Sequence, residues 1–338
     1  MALLTGWAGT YAGPQGGFLW QFALDGESGR LQDAAPLHAA GDCKYVSFAG
    51  GVLAYPLRRG PRAGLAARAL PGGGAAALFC EREAACFVTQ DEQFIYTANY
   101  HEGSILIYRR ESSAGRFCGL TLVRRLETGA GSGCHQVLLQ GRLLLASCLL
   151  RDEVLIFDRE NDFAPLPGLR FAAGTGPRHG VFDRAGGHLY LVSELSNELF
   201  CFRVRGAQLT LAQKLPLLDA GTPCTAPPAA AAVRLSADGR FLYVSVRFAD
   251  VLCVFEVAGD GAVKRQQTGC GGIHPRDLAL APGGRFVLAA NRTDGSLVCF
   301  ARDARTGRIG PECSRAAVPQ AVSIAFSAPD DSILSVKG

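Results

Sequence analysis

The chain reads as an all-β protein, a seven-bladed β-propeller closed by pairing of its N- and C-terminal strands. Three observations predict it. One strand–turn–strand pattern recurs at a spacing of ~45 residues, the mark of propeller blades with about four short strands each. Glycine supplies 42 of 338 residues, spread along the whole chain, which fits many tight turns. No stretch of useful length carries the 3.6-residue apolar period that a helical solenoid of similar repeat needs.

Five copies of the repeat are clear. They are residues 91–110 (DEQFIYTANYHEGSILIYRR), 140–160 (QGRLLLASCLLRDEVLIFDRE), 185–204 (AGGHLYLVSELSNELFCFRV), 237–257 (ADGRFLYVSVRFADVLCVFEV) and 282–302 (PGGRFVLAANRTDGSLVCFAR). Each opens on a turn, runs through an apolar strand, breaks at polar residues and resumes in a second apolar strand ending in an aromatic. Two weaker copies lie upstream, GTYAGPQGGFLWQFAL at 9–24 and GGVLAYPL at 50–57, the latter without a good second hairpin strand, for a total of seven. Residues 318–326 (VPQAVSIAF) resemble only the first strand of a unit, so the N-terminal strands are expected to complete that blade and close the ring. The whole of 1–338 is then one domain. Residues 58–77, rich in Gly, Ala and Arg, read as a loop or irregular blade edge, and 226–232 (APPAAAA) as a linker into the sixth blade; residues after 327 are expected to fray.

A hairpin returns to the edge it left, so in each blade the start of the innermost strand and the end of its neighbour meet at one mouth of the channel. The clearest case is residues 174–197 (GTGPRHGVFDRAGGHLYLVSELSN), which bring Arg178, His179 and Glu194 to one edge. The same rule applied to other blades adds Lys44, Tyr45, Glu83, His135, Arg234, Arg276 and Asp277 at strand starts. It adds Asn99, Tyr100, Cys148, Arg247, Asn291 and Arg292 at strand ends. The ring is rich in arginine, whose planar fork holds phosphate or carboxylate bidentately. His135 and Glu194 are its natural acid–base pair, with the choice of base open between them. His179, Arg276, Asn291, Arg292, Asn99 and Tyr100 are candidates for substrate contact. A wet channel carries polar residues in any propeller, and Glu194 serves equally as a structural partner of Arg178; the recurrence of arginine at matched strand ends is the stronger signal. Asp152, Asp250 and Asp294, a few residues past the ring position of their blades, recur too regularly for chemistry and read as turn-fixing Asx residues. His38, His101 and His188 read as loop or surface.

Composition narrows the class further. A formal net charge of +4 and the absence of a Lys/Arg run argue against nucleic-acid binding. No apolar run reaches the ~20 residues of a membrane span, and the start, MALLTGWAGTY, lacks the charged and long apolar regions of a secretion signal. Of the twelve cysteines, Cys201, Cys253 and Cys299 occupy equivalent strand positions and read as small buried hydrophobes. No CxxC pair suggests zinc, and neither metal nor cofactor is expected. Reduced thiols and no secretion signal predict a cytoplasmic protein.

Several motifs, in order, resemble the lactonase family of seven-bladed propellers: GTYAGPQGGFLWQFALDGESGRL, GTGPRHGVFDRAGGHLYLVSELSNELFCF, DGRFLYVSVRFADVLCVF and IHPRDLALAPGGRFVLAANRTDGSLVCF. The resemblance covers nearly the whole chain and implies a lactone-processing enzyme whose catalytic His, Arg, Glu and Arg correspond here to His135, Arg178, Glu194 and Arg247. Where the family often has H-x-H this chain has Gly133-Cys134-His135, and Cys148, Ala232 and Val246 replace a family Asp, Glu and Asn. The expectation that follows is a lactonase acting on a phosphorylated sugar lactone, 6-phosphogluconolactone, in the pentose phosphate pathway. Two alternatives stand beside it: a lactonizing enzyme for a muconate-type dicarboxylate, and a non-catalytic propeller that binds a ligand or protein partner, for which the three replacements are the motive.

Overall fold

A computed structural model describes residues 3–13 and 16–327. Seven four-stranded antiparallel sheets radiate from a central channel. Blade 1 joins the two ends of the chain: its innermost strand, Ala321–Phe326, pairs with Leu3–Thr10, which pairs with Phe18–Asp25 and then Leu31–Ala39. Blades 2 to 7 follow in chain order, with innermost strands Ser47–Ala49, Phe87–Gln90, Cys134–Gln140, Pro177–Phe182, Ala229–Leu235 and Pro275–Leu280. The expected closure is present, and the frayed end expected after 327 lies outside the described residues.

Burial explains the strand composition. Pro177–Phe182 in blade 5 is buried at every residue, because other blades cover both faces of an innermost strand. The outermost strand of the same blade, Gln208–Pro216, alternates partly buried and exposed residues. Apolar clusters fill the spaces between blades. Val192, Cys201, Val233, Val244 and Phe255 join blades 5 and 6, and Phe22, Leu24, Leu288, Leu297 and Ile324 join blades 7 and 1 across the closure. One blade alone therefore leaves both its faces wet.

Two stretches are better ordered than their composition suggests. Residues 58–77, expected as a loop, belong mostly to strands Val52–Arg59, Arg62–Ala69 and Ala75–Glu81 of blade 2. Ala63, Leu65 and Ala67 of this region are buried, so small side chains are packed core here and not spacer. Residues 226–232, expected as a linker, run into the innermost strand of blade 6, where Ala230, Ala231 and Ala232 are fully buried. Alanine runs carry no period-2 contrast, and both strands were hidden for that reason.

Asp152 and Asp250 do more than shape their own turns. Each adopts a left-handed backbone (φ 52° and 53°) between the second and third strands of its blade, as do Asn197 and Gly103. The carbonyls of Gly103, Asp152, Asn197, Asp250 and Gly295 each accept the N–H of the residue that follows the outermost strand, at 2.8–3.0 Å. The Asp152 carboxylate also accepts the Gly174 and Gly176 N–H groups of the lead-in to blade 5 (2.9 and 2.7 Å), and Asp250 accepts that of His274 ahead of blade 7 (2.8 Å). Asp294 accepts the Ile273 N–H at 2.8 Å. The recurring turn thus fastens the entry of an innermost strand.

Candidate active site

A bulge sets the aim of the innermost strand in blades 1, 4, 5, 6 and 7, whereas those of blades 2 and 3 pair in continuous register. In blade 4, Cys134 pairs with Cys148 and Gln136 with Ser147, leaving His135 as the extra residue. In blade 5 the same slip leaves out Arg178, in blade 7 Arg276, in blade 1 Val322, and in blade 6 both Ala231 and Ala232. An unpaired residue in a bulge is re-aimed and bends its strand. His135, Arg178, Arg276 and Val322 all line the channel mouth, together with Tyr11, Lys44, Tyr45, Cys86 and His179.

Beneath the mouth lies an Arg–Glu–Arg bridge. Arg178 Nε and Arg247 Nη2 each reach Glu194 Oε2 at 2.8 Å. Arg178 Nη1 also donates to the Ala231 carbonyl, and Arg247 donates to the carbonyls of Ala229 (3.1 Å) and Ala230 (3.2 Å). Three small residues of blade 6, of which Ala231 belongs to the bulge, therefore present main-chain oxygens to the guanidinium groups. Burial alone raises the Glu194 carboxyl, but Arg178 and Arg247 outweigh it and hold it below its ordinary value, so it is ionised at neutral pH. Burial, with Arg247 and Arg276 nearby, lowers Arg178 to about 10, which leaves it charged at neutral pH.

The histidines of the mouth are uncharged. Burial, then Arg178 and Arg276, push His135 well below 6.5; His179 is pushed the same way by burial, Arg178 and His135. Their rings stand 5.1 Å apart, edge to face, with Tyr100 5.8 Å from His135 and Phe87 5.4 Å from His179. His135 Nδ1 and both ring nitrogens of His179 are buried without a partner among the described residues. Unpaired nitrogens beside a cationic rim are ready to take a proton or a hydrogen bond from a ligand.

The sequence-predicted residues divide accordingly. His135, Arg178, His179, Glu194, Arg247, Arg276 and Tyr100 gather at or just under the mouth, and Arg292 stands over the Tyr11 ring at 4.6 Å. Asn99 and Asn291 do not join them as free donors. Both are fully buried; the Asn99 amide goes to Glu81 (3.0 Å) and the Glu83 carbonyl (2.6 Å), and that of Asn291 to the Cys270 carbonyl and Ser296 (both 3.2 Å). Arg234 is bonded to Asp277 at 2.8 Å and to the Tyr45 hydroxyl at 3.1 Å, deeper in the channel.

Tyr11 and His274 were missed. Tyr11 follows the second strand of blade 1, the position that Arg292 holds in blade 7, so the strand-end rule would have found it once the closing blade was included. His274 precedes the blade-7 strand and is lowered to about 4 by burial and by Arg247, Arg276, Arg292 and Arg178.

The four departures from the family pattern have local reasons. Gly133 is left-handed (φ +66°), and a Cβ there would meet Leu150 Cγ at 2.8 Å. Cys148 is buried opposite Cys134, and Ala232 and Val246 belong to the apolar clusters flanking blade 6.

The propeller mouth combines a guanidinium-bridged carboxylate, uncharged imidazoles and several further cations. Comparison with known proteins gives the class. The sequence profile of the family described as "Lactonase, 7-bladed beta-propeller" matches residues 5–326, and the chain belongs to that family. A Bacillus subtilis protein named 6-phosphogluconolactonase is 26% identical over 363 residues, covering 96% of this chain and 99% of its own. One of the same name from Sodalis glossinidius is 32% identical over 190 residues, 53% of this chain and 56% of its own. Among solved structures, a Lactobacillus plantarum protein superposes with a TM-score of 0.86 at 27% identity, covering 96% and 99% of the two chains. The Pseudomonas aeruginosa periplasmic gluconolactonase PpgL gives 0.81 at 26%, covering 97% and 99%.

Proposed function

We propose that this lactone hydrolase opens 6-phosphogluconolactone to 6-phosphogluconate, in the cytoplasm and as a step of the pentose phosphate pathway. The observation that carries the reading is the Glu194 bridge between Arg178 and Arg247 under a mouth where Arg276 and Arg292 have no carboxylate partner among the described residues. Relatives named for this activity support the substrate.

Hydrolysis adds water to the ring carbonyl, and the carbonyl oxygen becomes an oxyanion. Arg178 lines the opening, and its Nε and Nη1 are fixed by Glu194 and Ala231, which leaves Nη2 without a partner among the described residues and available to the oxyanion. Fixed charge aimed at developing charge is the largest single source of such catalysis. His135 takes the proton of the attacking water. It then returns that proton to the ring oxygen as the acyl C–O bond breaks, giving a hydroxyl and a carboxylic acid, which releases its proton to solvent and leaves as the carboxylate. Because His135 is neutral well below pH 6.5, the base is in its active form throughout the neutral range. Glu194 stays ionised, holding both guanidinium groups and balancing their charge.

Purified protein should accelerate loss of 6-phosphogluconolactone, and Arg178→Ala should lower kcat by ~100-fold or more. Arg178→Lys, which keeps the charge but loses the fork, should also fall in kcat, with a lower melting temperature because the Ala231 carbonyl loses its donor. Wild-type turnover no faster than spontaneous hydrolysis would end the proposal. A second reading, hydrolysis of the unphosphorylated lactone, is favoured by the likeness to PpgL and is measured by the same assay with glucono-δ-lactone.

A further inference from the structure

Four arginines and a lysine surround the mouth, but its carboxylates are already taken. Glu194 is shared by Arg178 and Arg247, and Asp42 pairs with Lys44 at 3.2 Å. Arg276 forms neither an ion pair nor a hydrogen bond among the described residues. Its guanidinium lies over the Tyr11 ring at 5.1 Å. Arg292 lies over the same ring at 4.6 Å and gives Nε to Gln320 Oε1 at 3.1 Å; among the described residues neither Nη group is bonded. Lys44 Nζ stands 6.0 Å from the ring centre. One aromatic ring thus gathers three cations that repel one another. Cation–π attraction offsets part of that repulsion; Asp42 balances Lys44, and among the described residues no carboxylate pairs with Arg276 or Arg292.

We propose that this Tyr11 corner is the subsite for the phosphate of the substrate, with Arg276 and Arg292 as the residues that select a phosphorylated lactone over its unphosphorylated counterpart. The inference rests on the lactonase reading above and adds to it the origin of substrate choice. A lone carboxylate is satisfied by one guanidinium fork. A phosphate monoester offers three terminal oxygens and close to two charges, which matches two guanidinium groups and an ammonium converging from separate strands. Arg276 reaches the corner as the blade-7 bulge residue, Arg292 as the end of the paired strand, and Lys44 from the entry to blade 2. Arg178 and His135 line the same opening, so a ligand anchored at Tyr11 presents its far end to them.

The test compares kcat/KM for 6-phosphogluconolactone and glucono-δ-lactone in the wild type, Arg276→Ala, Arg292→Ala and the double variant. Each single change should lower the ratio of the two values at least ~10-fold and the double change ~100-fold, with equal weakening of competitive inhibition by inorganic phosphate. Phosphate binding, followed by calorimetry, reads the subsite even if turnover fails, so the two proposals fail separately. Wild-type protein that turns over neither lactone but loses phosphate affinity in the variants sinks the enzymatic reading and keeps the subsite. A ratio within twofold of wild type in the double variant, or a wild type that treats both lactones alike, overturns the subsite and leaves the lactonase reading standing.

Discussion

His188 sits at the rim away from the mouth, where its ring is held from two blades. Nδ1 is 2.9 Å from Asp183 in its own turn, and Nε2 is 3.1 Å from Asp260 of blade 6. Sequence reasoning placed it on the surface, because nothing in the repeat tells which outer turn a neighbouring blade will touch. Burial is the largest single influence and lowers its proton affinity, but the hydrogen bonds and charges of the two carboxylates together outweigh it and raise the value. A raised folded value gives stabilisation that is complete below the unfolded value of about 6.5 and fades as pH climbs through the folded one. His188→Gln should therefore lower Tm more at pH 5.5 than at pH 9, measured by circular dichroism. An equal loss at both values would show that the pairing contributes nothing electrostatic. Glu194 behaves in the opposite sense: its lowered value makes the bridge to Arg178 and Arg247 a stabilising feature at neutral pH that weakens on acidification.

At the scale of the element, the working parts are the bulge and the clamped turn ahead of it. Asp152 lies in blade 4, yet its carboxylate fixes the backbone of Gly174 and Gly176, immediately before Pro177 and Arg178. Asp152→Ala leaves two N–H groups without their acceptor and loosens the strand that aims Arg178. A stability loss of about 1–3 kcal/mol is expected, with kcat falling more than KM rises. Asp152→Asn keeps a short side chain tolerant of the left-handed backbone and should recover part of both. Unchanged kinetics in Asp152→Ala would separate this clamp from the site. The strand pairs and their shared edge were legible in the sequence because turn chemistry and alternation recur at a fixed spacing. The bulges were not: nothing distinguishes Arg178 from His179 as the extra residue, and the slip is visible only in the pairing. Asn99 and Asn291 misled for the same reason. Strand-end position puts them near the mouth, but the internal acceptors that hold their amides come from Glu81 and Glu83 ahead of blade 3 and Cys270 ahead of blade 7, which strand-end position does not reveal.

Across the whole molecule, the ring turns a chain with little net charge into one with a locally concentrated field. The formal charge is only +4, yet the arginines that lie far apart in sequence share one opening. A low-dielectric rim of this kind raises the local concentration of anionic ligands. It exists only while all blades are in place, so the binding corner and the fold melt together.

The seam in blade 1 bears on how the gene itself can be rearranged. Because Ser327 donates its N–H to the Thr5 carbonyl at 2.9 Å, the two described ends are neighbours, and the order in which the blades are translated is not dictated by their order in space. A circularly permuted chain, with a short linker joining the old ends and new termini opened in the exposed tip at Ala114 and Gly115, should fold to the same ring and keep kcat/KM within a few fold. Failure of that chain to fold would mean that blade 1 must form by late docking of both ends, and that the break in the polypeptide has a fixed place in assembly.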